Sequence, residues 1–264
     1  MLVLKVCLVP SFLMLLSLAG KRWGPDVAGW LAGLPLVTGP ILFFLAMAHG
    51  TSFASGAAAA ALAAVGALLS FSVAYAHASQ RSGWPVALLA GLLAWAAAAS
   101  LLSLMPLSPL VAGLVAAATL SCARHLFPAV RPLPAARNPG AREVVLRMVA
   151  GALLTVGVTL VSGTLGFQWS GLLAVFPVMG TILAVFCHRD QGAAFAASLL
   201  RAMSAGLYSS SSFCLCLCLT LPRMGVAASF ALSTGVAVLV QSLTRKRLVR
   251  ASGRPASTTV PVEP

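Results

Sequence analysis

Apolar runs about the length of a membrane-spanning helix follow one another along almost the whole chain, and charged residues lie mainly between them. A helix of about 20 apolar residues matches the hydrocarbon core of a bilayer. Sixty per cent of the residues are hydrophobic and 8% are charged, and a water-soluble domain of this size cannot bury so much apolar surface. The sequence therefore predicts an all-α polytopic membrane protein.

The distribution of basic residues predicts how the chain crosses the membrane. Cytoplasmic loops collect Lys and Arg, and basic residues follow the last run and fill the stretch 124–142, whereas the alternate connections contain almost none. We therefore expect nine spans, with the N-terminus outside and the C-terminus in the cytoplasm. The net charge of +13 is assigned to contacts with anionic lipid headgroups rather than to nucleic acid. The expected spans are residues 2–20, 27–48, 52–76, 84–105, 108–127, 143–164, 168–187, 192–220 and 224–243.

Two of these runs carry a proline near their centre. They read "AGWLAGLPLVTGPILFF" (residues 28–44) and "SGLLAVFPVMGTILAVF" (residues 170–186), and a shift of 142 positions aligns them without a gap. The shift predicts an internal duplication. Because a fifth span lies between two four-span units, we expect the second unit to be inverted in the membrane. The aligned pairs include Gly29 with Gly171, Pro35 with Pro177, Phe44 with Phe186, Gly50 with Gly192, Phe53 with Phe195 and Lys5 with Arg147.

The duplication predicts four regions. Residues 1–105 form the first four-span repeat, and residues 106–142 form the linking span with its basic cytoplasmic loop. Residues 143–243 form the second, inverted repeat. Residues 244–264 form a basic tail that its polar composition predicts to be disordered.

The matched prolines indicate a candidate substrate site. A proline inside a helix frees a backbone carbonyl, which membrane proteins tolerate where the break faces protein or a wet cavity. Interrupted segments at matching places in two inverted halves are typical of transporter binding sites. The alternative is a purely structural kink, which is common at helix contacts. The candidate residues are Pro35, Thr38, Gly39, Pro177, Gly180 and Thr181, with Arg201 nearby.

Two charged residues near the apolar runs have alternative interpretations. Arg201 lies inside the eighth run, where it either faces a cavity and holds an anionic group or extends toward the cytoplasmic headgroups. Asp190, in "CHRDQ", is either a proton-coupling carboxylate or the partner of its neighbour Arg189. The sequence favours the second interpretation. The segment "LYSSSSF" (residues 207–213), which follows Arg201 in the eighth run, offers hydroxyls that either line a polar path or bond to carbonyls of their own helix.

Catalytic and metal-binding signatures are absent from the sequence. The six cysteines lie in or beside apolar runs, and the alternation in "CLCLC" spreads three of them over different helix faces. The four acidic residues and four histidines form no spacing typical of a metal site, and no P-loop, nucleophile elbow or HExxH motif occurs. We therefore expect no enzymatic activity, no metal and no cofactor.

The second half resembles a small bacterial family. Its segments "GLLAVFPVMGTILAVF" and "HRDQGAAFAASLLRAMSAGLYSSSSF", followed by an apolar span that begins at Leu221 and Pro222, are similar to the GlpM family of inner-membrane proteins. The resemblance implies a four-span inner-membrane unit linked to alginate production, here duplicated and fused. The first half departs from the pattern with "GLPLVTGP", and the resemblance implies no catalytic residues.

The sequence thus favours a secondary transporter or exporter of a small or lipid-linked substrate, with Arg201 indicating an anion. The alternative is a non-transporting membrane scaffold or accessory protein in envelope polysaccharide assembly. A lipid-modifying enzyme is disfavoured because the acid–base residues it would need are missing.

Overall fold

The computed structural model describes residues 2–23, 25–104, 108–128, 140–164 and 176–252. Within these ranges every regular element is an α-helix, which confirms the all-α prediction. The helices are α1 (Leu2–Trp23), α2 (Pro25–Ala32), α3 (Thr38–Ala63), α4 (Val65–Ser79), α5 (Trp84–Ser103), α6 (Pro109–Leu126), α7 (Ala141–Thr164), α8 (Val178–Gln191) and α9 (Ala193–Ser252).

The prediction of nine spans is not supported by helix length and apolarity, and the described helices do not support the predicted inversion of the repeats either. Three helical stretches of the described residues are long and apolar enough to cross a membrane, namely Thr38–Ser79, Trp84–Leu102 and Ala193–Thr244, and a shorter apolar helix covers Pro109–Ala123. The predicted second span is broken at residues 33–37 between α2 and α3, and part of the predicted seventh span lies outside the described residues. The helix α9 continues to Ser252, so the predicted disordered tail begins as helix.

The long helix α9 folds back on itself at Gly225. This glycine has φ 73° and ψ 175°, which interrupts the helix. Ser209 Oγ donates to the Ala237 carbonyl over 2.8 Å, although the two residues are 28 positions apart. In a straight helix they would lie about 42 Å apart. Phe213 and Phe230 also meet, with ring centroids 6.1 Å apart, so α9 consists of two antiparallel arms.

The helix α3 turns in the same way at Gly50, which has φ 85° and ψ 169°. A Cβ built on Gly39, in its first arm, would lie 3.6 Å from the Phe213 ring. Leu62, near its other end, and Leu215 both lie beside Gly113. Both ends of α3 therefore approach the same part of α9. Gly192, between α8 and α9, has a similar backbone with φ 92° and ψ 172°.

A side chain at these glycines should destabilise the protein. With φ near 80° and ψ near 170°, they occupy a region that is essentially restricted to glycine and costs other residues about 1–3 kcal/mol. We expect Gly225→Ala to lower the free energy of unfolding by about that amount, measured by denaturant titration in mixed micelles. Gly235→Ala, in the same helix with open space around it, should be neutral or slightly stabilising. Equal effects of the two substitutions would contradict the turn at Gly225.

The core consists of two apolar clusters that share the first arm of α9. One contains Leu13, Phe71, Tyr75 and Leu200, and joins α1, α4, α5 and α8 to the start of α9. The other contains Leu42, Leu62, Leu120, Phe213 and Leu217, and joins α3 and α6 to the middle and second arm of α9. The first arm of α9 therefore takes part in both clusters.

A contact between glycines brings α2 and the loop that follows it against α9. A Cβ on Gly206 would lie 2.7 Å from the Gly33 Cα and still closer to the Trp30 carbonyl oxygen. One turn before Gly33, a Cβ on Gly29 would lie 2.9 Å from the Ala202 Cβ. Small residues spaced four apart thus face each other, as in close helix contacts of membrane proteins.

Candidate functional site

The first proline produces a turn between two helices. Pro35 lies in the connection between α2 and α3, and α3 begins three residues later at Thr38. The Leu36 amide donates to the Leu34 carbonyl over 2.8 Å, and the Gly39 amide donates to the Pro35 carbonyl over 2.8 Å. The proline therefore stands where one helix has ended and the next begins, and its carbonyl is used by the first turn of α3.

The second proline makes the same turn. The Val178 amide donates to the Phe176 carbonyl and the Thr181 amide to the Pro177 carbonyl, each over 2.8 Å. Pro177 has φ −77° and ψ 56°, close to the inverse γ-turn. Both hydrogen bonds repeat those of the first turn, with every donor and acceptor 142 positions further along the chain. Each predicted break thus lies immediately before a helix.

The two turns lie against different aromatic side chains. Gly39 faces Phe213, whereas a Cβ on Gly180 would lie 3.4 Å from the Phe71 ring. Thr38 and Gly39 are half-buried. Thr181 is 7% exposed, and its hydroxyl is buried without a hydrogen-bond partner. Of the six predicted turn residues, Thr181 is therefore the one with an unused polar group in the interior.

Aromatic side chains lie beside the second turn. Trp95 stacks edge-to-face on Phe176 with ring centroids 5.1 Å apart, and Phe71 contacts Tyr75. A groove of about 500 Å³ lies elsewhere, between α4 and α6, and none of the predicted site residues lines it. Its wall consists of Gly66, Leu69, Ser70, Val73, Ala74, Ala118, Thr119, Cys122 and Leu126.

Arg201 points away from the core of the protein. It is exposed on α9, whereas its neighbours Leu200 and Ala202 are buried. The Arg201 carbonyl accepts a hydrogen bond from Ser204 Oγ over 2.6 Å. The Arg201 side chain therefore lies outside the packed interior, and both interpretations of its role stay predictions.

An ion pair that was not predicted from the sequence joins two of the described helices. Arg147 Nη2 on α7 donates to Asp190 Oδ2 on α8 over 3.1 Å. The two side chains are 4% and 15% exposed, so this is a buried ion pair between helices. The favoured pairing of Asp190 with Arg189 is replaced by this contact. In the sequence, Arg147 is distinguished only by its alignment with Lys5.

Aromatic and titratable side chains surround this ion pair. The Arg147 guanidinium lies 5.6 Å from the centroid of the Phe186 ring, and the Arg189 guanidinium lies 5.9 Å from the same ring. Next to Asp190 along the helix, His188 Nδ1 is 3.2 Å from the Tyr75 hydroxyl. Burial lowers the pKa of His188, which lies beyond the predicted seventh span, below its usual value. A neutral imidazole suits an Nδ1 that accepts from Tyr75.

The serines of α9 differ in their hydrogen bonds, and not all of them bond to carbonyls of their own helix. Ser212 bonds to the Ser209 carbonyl of its own helix, whereas Ser209 bonds across to the second arm. The hydroxyls of Ser211, Ser229 and Ser233 are buried without a partner. Small hydroxyl residues thus lie between the two arms of α9, where they permit close packing.

No group of three metal-ligating side chains occurs within the described ranges. The chain has no match among family models, curated proteins or solved structures. The resemblance to the GlpM family therefore stays a prediction from the quoted segments.

Proposed function

We propose that the protein is a secondary transporter or exporter of a small or lipid-linked substrate that works by alternating access. In this proposal it lies in a bacterial inner membrane with its N-terminus outside and its C-terminus in the cytoplasm. It consists of two inverted four-span repeats joined by a fifth span. The two proline turns belong to the substrate path.

The observation that carries the proposal is the equivalence of the two turns. The same two backbone hydrogen bonds surround Pro35 and Pro177, with a constant offset of 142 positions. The same offset relates Gly50 to Gly192, two of the three glycines with positive φ in the described residues. Matched breaks in two copies of opposite orientation are typical of secondary transporters. Exchange of conformation between the copies would open the path to alternate sides.

The alternative function is a membrane scaffold or accessory protein in envelope polysaccharide assembly. One specific observation favours it, namely the aromatic packing of Trp95, Phe176 and Phe71 around the second turn. A scaffold needs a rigid interior, whereas a transporter must expose Thr181 in at least one of its states. The two functions therefore differ in whether solvent reaches this residue.

Thiol accessibility distinguishes the two functions. Thr181→Cys would be prepared with Cys7 and Cys122, the exposed cysteines of the described residues, replaced by serine. Membrane-impermeant maleimide would be added to intact cells and to inside-out vesicles. We expect labelling from at least one side, slower than at an exposed residue, because the transporter opens transiently. Absence of labelling from both sides would exclude the transport proposal.

Two control variants make this result interpretable. Ala184→Cys lies in a fully buried position and should stay unlabelled from both sides. Gln80→Cys lies in an exposed turn of a predicted cytoplasmic loop and should be labelled in inside-out vesicles only. Labelling of Gln80→Cys in intact cells would contradict the proposed orientation, whatever the result at Thr181→Cys.

A further inference from the structure

Arg147 is a buried cation whose hydrogen-bonding capacity is incompletely used. The residue is 3% exposed. Its Nη2 binds Asp190 Oδ2, but its Nε is buried and has no hydrogen-bond partner. A buried guanidinium N–H without an acceptor is costly. The site therefore has an unused donor that points into the protein.

The geometry of the pair explains why this donor is free. A carboxylate and a guanidinium bind most strongly through two parallel hydrogen bonds. Asp190 makes only one described contact, through Oδ2 to Nη2, so the edge formed by Nε and Nη2 is half occupied. A tetrahedral oxyanion or a second carboxylate could use both nitrogens of this edge if the charge of Asp190 were removed.

Asp190 is the more exposed member of the pair, because its side chain is 15% exposed and that of Arg147 is 4% exposed. The titratable and charged groups around Asp190 are Arg147 on α7 and Cys187, His188 and Arg189 on α8. Tyr75 on α4 contacts His188 and thereby lies next to these groups. The next acid on α7, Glu143, lies one helical turn before Arg147 and makes no described ion pair.

We propose that Arg147 and Asp190 form a proton-coupled oxyanion site. A proton added to the Asp190 carboxylate removes its charge and frees Nη2. The guanidinium then binds the phosphate, sulfate or carboxylate group of a ligand through Nε and Nη2. Release of the proton restores the internal pair and expels the anion. The inference rests on the proposed transport function and specifies its coupling, in which a proton and an oxyanion bind together.

The test is a binding measurement that needs no transport. Purified full-length protein in neutral detergent would be titrated calorimetrically with sodium sulfate, whose charge does not change between about pH 5 and about pH 8, at constant ionic strength. We expect wild-type binding to be at least about fivefold weaker at the higher pH, a usual size for coupling between two sites. Asp190→Asn should bind sulfate with the same affinity at both pH values.

Removal of the Arg147 guanidinium should abolish sulfate binding. Arg147→Gln leaves Asp190 buried without its partner and can fail to fold. The double variant Arg147→Gln/Asp190→Asn leaves no unpaired charge at the site and is therefore the variant used to test for loss of sulfate binding. It should elute as a folded species on gel filtration and bind no sulfate. Glu143→Gln removes an acid from the same helix and should behave as wild type.

Two results would overturn the site. One is sulfate binding by the double variant with wild-type affinity. The other is a pH dependence that persists in Asp190→Asn, because His188 or another group would then control binding. If sulfate binding fails but Thr181→Cys is labelled, transport stands without this site. If sulfate binding follows Asp190 while Thr181→Cys is never labelled, the site stands and transport fails.

Changing the lipid composition around the protein distinguishes a lipid phosphate from a free anion as the ligand of the site. Wild-type protein would be titrated in nanodiscs of phosphatidylcholine alone and of phosphatidylcholine mixed with phosphatidylglycerol. With enough added salt to screen the repulsion of sulfate by the anionic surface, weaker sulfate binding in the anionic discs identifies a lipid phosphate as the competing occupant, whereas equal binding identifies a free anion. Both results support the site, provided that the double variant binds no sulfate in either disc.

Discussion

Gly206→Ala is expected to lower the free energy of unfolding by about 3 kcal/mol or more, because the new methyl group would overlap the backbone of the segment around Gly33. A Cβ at position 206 would lie 2.7 Å from the Gly33 Cα, and a backbone atom cannot rotate out of the way as a side chain can. Alanine normally favours a helix over glycine by about 1 kcal/mol, so the clash must outweigh this gain. Gly33→Ala should have a comparable cost, since its Cβ would meet Gly206 and lie 2.7 Å from the Leu207 amide nitrogen.

Unfolding by denaturant in mixed micelles measures these effects. The matched control is Gly157→Ala on α7, where a Cβ would meet nothing within 4 Å and a neutral or slightly positive change is expected. If Gly206→Ala were as stable as Gly157→Ala, α2 and α9 could not approach as closely as described. Unfolding is followed by far-ultraviolet circular dichroism.

The sequence indicates which faces can make this contact, but not that they meet each other. Gly29 and Gly33 have the spacing of a close helix contact, as do Ala202 and Gly206. The spacing shows that a face is flat enough for another backbone, but it does not identify the partner. That choice depends on how α9 packs in the folded chain, which the spacing alone does not specify.

The proline breaks were predictable because their cause is local. A proline lacks an amide proton and restricts the residue before it, so the helix boundary near Pro35 and Pro177 follows from the chain itself. The predicted spans 27–48 and 52–76, and likewise 192–220 and 224–243, place connections next to Gly50 and Gly225. The structure uses single glycines there, since a positive φ changes the direction of the helix without additional residues.

The partner of Asp190 was predicted wrongly for a geometric reason. Adjacent residues of a helix project to different sides, so Arg189 is poorly placed to bind its neighbour. The side of α8 that carries Asp190 instead meets α7, where Arg147 is the described basic residue within reach. An Arg among apolar residues was a visible signal, because a buried cation requires a counter-ion, and the chain has only four acids.

Arg147→Gln is expected to lower the free energy of unfolding by about 3–5 kcal/mol, because it leaves the Asp190 carboxylate largely buried without its cation. Asp190→Asn should cost a similar amount by leaving the Arg147 guanidinium unbalanced. The double variant should recover most of the loss, since two neutral amides of similar size can bond to each other. Denaturant titration of the four proteins forms a double-mutant cycle, and the coupling should be large and favourable.

A control variant distinguishes the stabilisation by the ion pair from the effect of a change in net charge. Glu143→Gln changes the net charge by the same amount as Asp190→Asn but touches no described ion pair, so we expect a change within about 0.5 kcal/mol. Added salt should leave the coupling energy of the Arg147–Asp190 cycle almost unchanged, because buried charges are screened far less than exposed ones. A coupling near zero, or one that salt abolishes, would mean that the pair is solvated. The unused Nε would then be bonded to water, and the case for an oxyanion site at Arg147 would be lost.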